Sequence, residues 1–300
     1  MKQIIRGGQG VRPGSDSIVK PAAMQRLARL RWLFLGVALV GLAACTKSTE
    51  GTPDAFADDQ PAGTLYNEGL AYMNGGKLKD ATKSFDEVDR QHPYSEYARK
   101  ALIMSTFTSY KRGDFDTAIA SGHRYMALYP GSPDAAYATY LIGLSYFRRM
   151  PDITRDQDVT RKALASFEEI VNDYPDSEYV TDSKDKIVVC RDQLAGKEMQ
   201  IGRYYLEQRD YLAAINRFKS VVTDYQTTRH VEEALERLAE ANMALGLTGE
   251  AQTATAVLGH NYPDSPWYKD AYKLLKTGGL EPRENTGSWI SKVFAGKNTS

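Results

Sequence analysis

Two cysteines, Cys45 and Cys190, carry the most reactive side chains of this chain. Two thiols are too few for a disulfide-rich fold or for a zinc site built from cysteines. The four histidines form no pair at metal-binding spacing, and no nucleophile elbow, phosphate-binding loop or dinucleotide fingerprint occurs. We therefore expect no catalytic residue, no metal ligand and no cofactor. Cys190 follows an apolar helical pattern and is predicted to be a small buried hydrophobe.

Cys45 stands at the end of a short apolar run that covers residues 32–44. A membrane-spanning helix needs roughly 20 apolar residues, so the run has the length of a signal-peptide core, and arginines precede it. The sequence Leu42-Ala43-Ala44-Cys45 resembles the bacterial lipobox. That resemblance implies that the Cys45 thiol receives a covalent lipid and that the mature chain begins there. The alternatives are an ordinary secretory peptide with a chance cysteine, or a short membrane anchor.

The segments on either side of Cys45 are predicted to be a signal peptide and a flexible tether. We interpret residues 1–44 as a signal peptide whose true start is Met24, because residues 1–23 lengthen the basic region well beyond the norm. Residues 45–62 are polar, lack helical periodicity and are predicted to be a flexible tether. Thr46, where an Asp would hold a lipoprotein at the inner membrane, implies by analogy a lipid anchor in the outer membrane, on its periplasmic side.

The body of the chain repeats a fixed spacing between an alanine and a helix-ending corner. Each corner's second residue, Pro in four cases and Gln226 in one, lies twelve residues after an alanine. The alanines are Ala81, Ala118, Ala163, Ala214 and Ala251. A small residue lets a neighbouring helix approach, and Pro ends a helix because it lacks an N–H and clashes with the preceding turn. Turn residues also precede several of the alanines, so each unit is predicted to be two antiparallel helices.

This spacing resembles the tetratricopeptide repeat, whose first unit here is carried by Leu65, Gly69, Tyr72, Ala81, Phe85 and Pro93. The resemblance implies an all-α solenoid of five helix pairs over residues 63–265. The units cover about residues 63–95, 96–132, 133–177, 178–228 and 229–265. A closing helix over 266–277 follows. Gly122 and Thr255 depart from the pattern because they stand where Phe is usual.

The alanines are 37, 45, 51 and 37 residues apart, so the third and fourth units carry extra residues. The sequence Met150-Pro151-Asp152 predicts a loop at about 150–158. The segment 179–208 contains no Pro and is predicted to be one long helix, which Gly196 and Gly202 are expected to weaken or kink. Residues 278–300 are predicted to be either disordered or a short helix that docks a partner or the membrane through Trp289, Ile290, Val293 and Phe294.

The stretch 155–225 resembles a particular family most closely. Its landmarks are Arg155-Asp156-Gln157, Tyr174-Pro175-x-Ser177-x-Tyr179, Arg203-Tyr204-Tyr205 and Ala213-Ala214-Ile215-Asn216-Arg217-Phe218. Together with the lipobox they resemble the BamD (ComL-type) lipoproteins of the outer-membrane β-barrel assembly machinery. Asn242 and Gln226 depart from the family pattern, in which Tyr and Pro are expected.

The resemblance implies partners and candidate sites. It implies that the C-terminal repeats bind the periplasmic domains of the barrel-forming subunit BamA, beside other lipoproteins of the machinery. The candidate contacts there are Arg155, Asp156, Tyr204, Asn216 and Arg217. The alternative for Arg217 is an intramolecular ion pair, for example with Asp224 or Glu207.

The N-terminal repeats would hold the aromatic-rich C-termini of unfolded outer-membrane proteins. The candidate groove residues are Tyr66, Leu70, Met73, Ile103, Phe107 and Tyr110. The alternative is that several of these side chains pack between repeats. The formal net charge is +0, which does not favour a nucleic-acid partner.

Two other function classes share parts of the pattern. A peptidoglycan- or pilus-related repeat lipoprotein would have the same anchor and scaffold. An enzyme with a helical repeat domain would have the scaffold, but no catalytic constellation in the sequence supports it.

Overall fold

A computed structural model describes residues 60–295 of the chain. The predicted signal peptide, the lipid-acceptor Cys45 and nearly all of the predicted tether lie outside the described residues. Within them the chain forms twelve α-helices and no strand. The helices are α1 (Ala62–Asn74), α2 (Leu78–Gln91), α3 (Glu96–Arg112), α4 (Phe115–Leu128), α5 (Ala135–Phe147), α6 (Asp158–Asp173), α7 (Val180–Glu207), α8 (Tyr211–Asp224), α9 (Val231–Ala244), α10 (Thr248–Asn261), α11 (Pro266–Thr277) and α12 (Trp289–Ala295).

Helices α1 to α10 form five pairs that pack in chain order, each helix against the next. The predicted fold class, an all-α solenoid of five tetratricopeptide-like helix pairs, is confirmed. The five alanines that begin the spacing pattern are completely buried, since each stands in the second helix of its pair where the neighbouring helix approaches. We refer to the pairs as repeats 1 to 5.

A glycine–phenylalanine contact recurs inside the pairs. A Cβ added to Gly69, Gly143 or Gly202 on the first helix would lie 2.5 to 2.9 Å from the ring of Phe85, Phe167 or Phe218 on the second. The glycines therefore let the rings lie directly on the helix backbone. Repeat 2 differs, because Gly122 stands at the position of the phenylalanine. The Ile142 side chain of the next helix packs against Gly122 instead.

The tight turns inside four of the pairs share a left-handed residue. Gly76, Gly113 and Gly246 have φ of 73°, 81° and 73°, which glycine adopts without a Cβ clash. Repeat 4 uses Arg209 at φ 61° instead. Asp114 and Asp210 follow two of these turns and accept a hydrogen bond from the first turn of the next helix, which fixes where α4 and α8 begin.

The long helix of repeat 4 is uninterrupted. It runs for 28 residues, and the glycines expected to weaken or kink it are packing positions instead. Gly202 lies against the Phe218 ring, and Gly196 lies against His230 and Ile153. The added length is absorbed within α7, while the extra residues of repeat 3 form the connection between α5 and α6.

The C-terminal segment folds back on the chain. Of the two states predicted for this tail, the structure has the helical one over Trp289–Ala295. Of the four apolar residues predicted to dock, Ile290 and Phe294 are buried in the cluster formed by α8, α9 and α10, and Trp289 and Val293 are partly buried against it. A residue that departs from the repeat pattern helps to hold it: Gln226 donates a hydrogen bond to the Val293 carbonyl at 3.3 Å.

Candidate partner-binding surfaces

Side chains in the middle of α7 form hydrogen bonds with the connection between α5 and α6, which contains Arg155 and Asp156. Gln193 donates to the Pro151 carbonyl at 2.8 Å, and Lys197 donates to the Thr154 carbonyl at 3.0 Å. The buried Gln157 donates to the carbonyls of Asp152 and Arg155 at 2.9 and 3.1 Å. The connection is therefore an ordered loop, and it leaves the side chains of Arg155 and Asp156 exposed.

The next residue of α7 after Lys197 positions Arg217. Arg217 Nη1 donates to Glu198 Oε2 at 3.1 Å, and 42% of the Arg217 side chain is exposed. The internal partner is Glu198, so the suggested pairs with Asp224 and Glu207 were wrong. Sequence reasoning missed Glu198 because the register between α7 and α8 decides which carboxylate meets the arginine.

Within one turn, α7 contacts both the connection that carries Arg155 and Asp156, through Lys197, and Arg217, through Glu198. We call the side chains around this turn the α7 surface: Arg155, Asp156 and Arg217. Asn216 is exposed beside Arg217 on α8. Tyr204 lies six residues beyond Glu198, about 9 Å along the helix. It is 59% exposed, with its ring 5.6 Å from that of Tyr205. A surface with a half-exposed guanidinium, an exposed carboxylate and an exposed Tyr suits a polar protein partner.

Further along α7, an ion pair connects this helix with α9. Arg203 donates twice to Glu233, at 2.7 and 2.5 Å. Arg237 approaches Glu233, Glu236 and Glu240. Burial raises the pKa of Glu236 to about 7, although the charge of Arg237 opposes the rise. This network joins α7 to α9.

A second surface is formed by aromatic side chains of repeats 1 to 3, and we call it the aromatic surface. The Tyr66 ring lies 5.6 Å from Phe85 and 5.5 Å from Tyr97. Further along, the Phe107 ring lies 6.4 Å from Tyr137. Apart from the buried Phe85 of α2, these rings come from the first helices α1, α3 and α5, which contact one another in that order.

The aromatic surface ends in a stack of three tyrosines. Tyr179 stacks on Tyr137 at 5.3 Å and on Tyr140 at 4.7 Å. The Tyr140 hydroxyl donates to Asp182 at 2.5 Å. Burial is the main cause that raises the pKa of Tyr137 and of Tyr179 to about 12, so both hydroxyls stay neutral donors.

The structure corrects one of the six predicted groove residues. Ile103 is only 7% exposed, because it packs with Leu102, Tyr125 and Leu141 between repeats, so it is not available to a ligand. Tyr66, Leu70, Met73, Phe107 and Tyr110 are partly buried. Sequence reasoning missed Tyr97, Tyr137, Tyr140 and Tyr179. Their signal was present, since Tyr179 belongs to the corner pattern that resembled the family, but the pattern did not tell which helix face each ring would share.

Lysines accompany the aromatic rings. The ammonium of Lys100 lies 5.5 Å from the centre of the Tyr97 ring, and that of Lys111 lies 5.6 Å from the Phe107 ring. A surface of rings with nearby cations favours peptides that carry aromatic side chains and a carboxylate.

Known proteins match most of the chain. A family model described as outer membrane lipoprotein, YfiO, matches residues 58–258. The outer membrane protein assembly factor BamD of Caulobacter vibrioides is 45% identical over 77% of this chain and 75% of that protein. The BamD of Rickettsia prowazekii is 41% identical over 84% of this chain and 98% of that protein. The chain belongs to the BamD family.

Membership in the BamD family makes the chain an outer membrane protein assembly factor, as its relatives are named. It favours this function over the peptidoglycan- or pilus-related alternative. Among solved structures, the TPR2AB domain of yeast Sti1 aligns with 79% of this chain and 98% of its own at 11% identity, with a TM-score of 0.37. Within residues 60–295, no helix is long and apolar enough to cross a membrane, and no group of three or more potential ligands could hold a metal ion.

Proposed function

We propose that this BamD-family chain is a lipid-anchored, non-catalytic scaffold with two separate binding surfaces. The α7 surface would bind the periplasmic domains of the barrel-forming subunit BamA, beside other lipoproteins of the machinery. The aromatic surface would receive the C-termini of unfolded outer-membrane proteins. A lipid on Cys45 would hold the scaffold at the periplasmic face of the outer membrane, and no cofactor takes part.

The BamA-binding proposal rests on the position and the exposure of the Arg217 side chain. Glu198 positions its guanidinium, and 42% of the Arg217 side chain is exposed. One Arg–Glu hydrogen bond leaves most of the donors of a guanidinium unused, so a partner carboxylate can bind without breaking the internal pair. Arg155, Asp156 and Asn216 would add contacts around it, and Tyr204 would supply apolar area at one end of the same helix.

The peptide-binding proposal rests on the aromatic surface. Outer-membrane proteins that end in aromatic residues would place their rings against Tyr66, Phe107 and the tyrosine stack. Offset ring pairs contribute about 0.5–1.5 kcal/mol each beyond area burial, so several weak contacts can hold a peptide that must later be released.

Co-purification from detergent-solubilised membranes tests the BamA proposal. Arg217→Ala is expected to lower the recovered BamA by about tenfold, the loss of one charged contact. Arg283→Ala, which removes an exposed arginine of the segment between α11 and α12, is the matched control. Glu198→Gln separates docking from internal packing, because it removes the competing negative charge while its amide oxygen can still accept the hydrogen bond that positions Arg217.

The two interpretations of Arg217, a contact with BamA or an internal ion pair only, predict different results for Glu198→Gln. If Arg217 docks BamA, recovery with Glu198→Gln equals or exceeds that of the unaltered chain. A loss as large as that of Arg217→Ala would mean that the ion pair matters only for packing. Full recovery of BamA with Arg217→Ala would reject this contact.

Site-specific photo-cross-linking tests the aromatic surface. A cross-linker at Tyr110, at the edge of the surface, is expected to capture a C-terminal peptide of an outer-membrane protein. A peptide of scrambled sequence is the control. Equal capture of both peptides would reject the proposal for this surface.

A further inference from the structure

Repeats 1 and 2 correspond to repeats 4 and 5 residue by residue. Ala81 and Ala214 are separated by 133 residues, and so are Ala118 and Ala251. The same separation relates Gly69 to Gly202, which both face a phenylalanine ring, and Gly113 to Gly246, which both have positive φ. Features of one half can therefore be located in the other half without adjustment.

In repeats 4 and 5, the groove between α8 and α10 is filled by α12. The ammonium of Lys219 lies 5.0 Å from the centre of the Trp289 ring, and Gln226 donates to the Val293 carbonyl. Thr253 Oγ1 accepts a hydrogen bond from the Asn285 amide at 3.3 Å. The floor is apolar, and its side chains share one buried cluster with Ile290 and Phe294: Val222, Leu235, Ala254 and Val257.

In repeats 1 and 2, the corresponding groove between α2 and α4 is an open cavity of about 730 Å³. Each of its lining residues has a counterpart, 133 positions later, in the α8–α10 groove: Asp86, Asp89, Arg90, Pro93, Leu102, Ala120, Ser121 and Arg124. Leu102 is the counterpart of Leu235, so the floor of this groove is also apolar at that position. Among the described residues no helix covers this groove, which we call the α2–α4 groove.

Charge is what distinguishes the two grooves. Asp86 takes the place of Lys219, and the ion pair of Arg124 with Asp89, at 2.6 Å, takes the place of Val257 and Val222. Asp86 accepts a hydrogen bond from Ser105 at 2.5 Å and forms no ion pair with any described residue. Desolvation by neighbouring protein raises the pKa of Asp86 and Asp89 adds to the rise, while the hydrogen bond from Ser105 and the charges of Arg112 and Arg124 oppose it. The Asp86 side chain is nonetheless exposed, so a cation of a bound partner can reach its carboxylate.

We propose that the α2–α4 groove docks a short amphipathic helix of another protein, bound as α12 is bound in its own groove. The occupant carries Lys or Arg at the position of Trp289, next to Asp86, and a small apolar side over Leu102 and Ala120. The polar Asp89–Arg124 pair disfavours α12 itself, because Ile290 and Phe294 would desolvate it. The surface is distinct from the α7 surface and the aromatic surface, so its test is independent of the proposed function.

A stapled helix tests the docking directly. The probe is a fluorescent peptide of residues 284–295 with Trp289→Lys, stapled through its exposed positions because short helices are marginal in water. Its binding to the full chain in detergent is measured by anisotropy. We expect it to bind at least about tenfold more tightly than the unsubstituted peptide, and Asp86→Asn to remove most of that difference. Asp185→Asn, an exposed carboxylate of α7, is the control and should change nothing.

A reciprocal variant, which is expected to gain binding, distinguishes a lost contact from a chain that has failed to fold. The triple change Asp86→Lys, Asp89→Val and Arg124→Val gives the α2–α4 groove the side chains of the α8–α10 groove. This variant is expected to bind the unsubstituted peptide and to lose the Trp289→Lys peptide. Equal binding of both peptides to the unaltered chain, or binding that neither Asp86→Asn nor the triple variant changes, would overturn the proposal.

Discussion

The first three repeats and the last two share one backbone pattern and differ in what they place on it. Repeats 1 to 3 line their first helices with aromatic rings, and the row ends where Tyr137 and Tyr140 stack with Tyr179 at the start of α7. Repeats 4 and 5 connect their first helices through the ion pair of Arg203 with Glu233, which Arg237 also approaches within α9. The buried Gly–Phe contacts recur in both halves because they set helix spacing, while the outward positions are free to differ and give each half its own binding chemistry.

The largest effect expected from this comparison concerns the two buried phenylalanines. Phe218 and Phe85 are both completely buried, so replacing either with Ala should cost about 3–5 kcal/mol. Phe218 lies in the interior of the stack, in the largest buried cluster, whereas Phe85 lies in the terminal repeat. Phe218→Ala should therefore lower the midpoint of unfolding of the whole chain, while Phe85→Ala should mainly release α1 and α2.

Hydrogen exchange distinguishes these outcomes helix by helix, with Leu128→Ala as a control because Leu128 is 52% exposed. If Phe85→Ala accelerates exchange equally in repeats 4 and 5, the halves unfold as one unit and the expected difference is absent.

A second difference between the halves is the filled groove. Ending the chain after Arg283 removes α12 and uncovers the apolar side chains beneath it. We expect a loss of about 2 kcal/mol, since burial of Ile290 and Phe294 is offset by the ordering of the segment. The loss should appear as a lower urea midpoint. Ending the chain after Ala295 is the control, and an unchanged midpoint after removal of α12 would show that this helix does not stabilise repeats 4 and 5.

A smaller, pH-dependent effect concerns the ion pairs of the C-terminal half. The pKa of Glu236 is raised to about 7 in the folded chain from its ordinary 4.5, so the folded state holds the proton more tightly than the unfolded state. Its contribution to stability is therefore fully present below pH 4.5 and is lost as the pH rises towards 7. Glu236→Gln should raise stability at pH 8 by about 1 kcal/mol and have little effect at pH 4.

Thermal unfolding at the two pH values measures this, with Glu232→Gln as the matched control on α9. A destabilised Glu236→Gln variant at pH 8 would mean that the ion pair with Arg237 outweighs the burial of the carboxylate.

The repeat architecture was predictable because its signal is local and periodic. The constant offset between Ala81 and Pro93, repeated five times, follows from helix length alone. What could not be predicted depends on contacts between helices. From the sequence, Gly202 is expected to weaken the helix. In the structure, its missing side chain makes room for the Phe218 ring. The same limit applies to Ile103, whose apolar side chain suits a groove and a core equally, and to Glu198, whose pairing with Arg217 depends on the register of α7 and α8.

The division of binding between the two halves is tested most directly by measuring both ligands on the same two variants. The affinities for the periplasmic domains of BamA and for an aromatic C-terminal peptide would be determined for Arg217→Ala and Tyr179→Ala. We predict that Arg217→Ala weakens only BamA binding and that Tyr179→Ala weakens only peptide binding, each by about tenfold. If either variant weakens both ligands equally while its fold is intact, the two surfaces are one site and the proposed division is wrong.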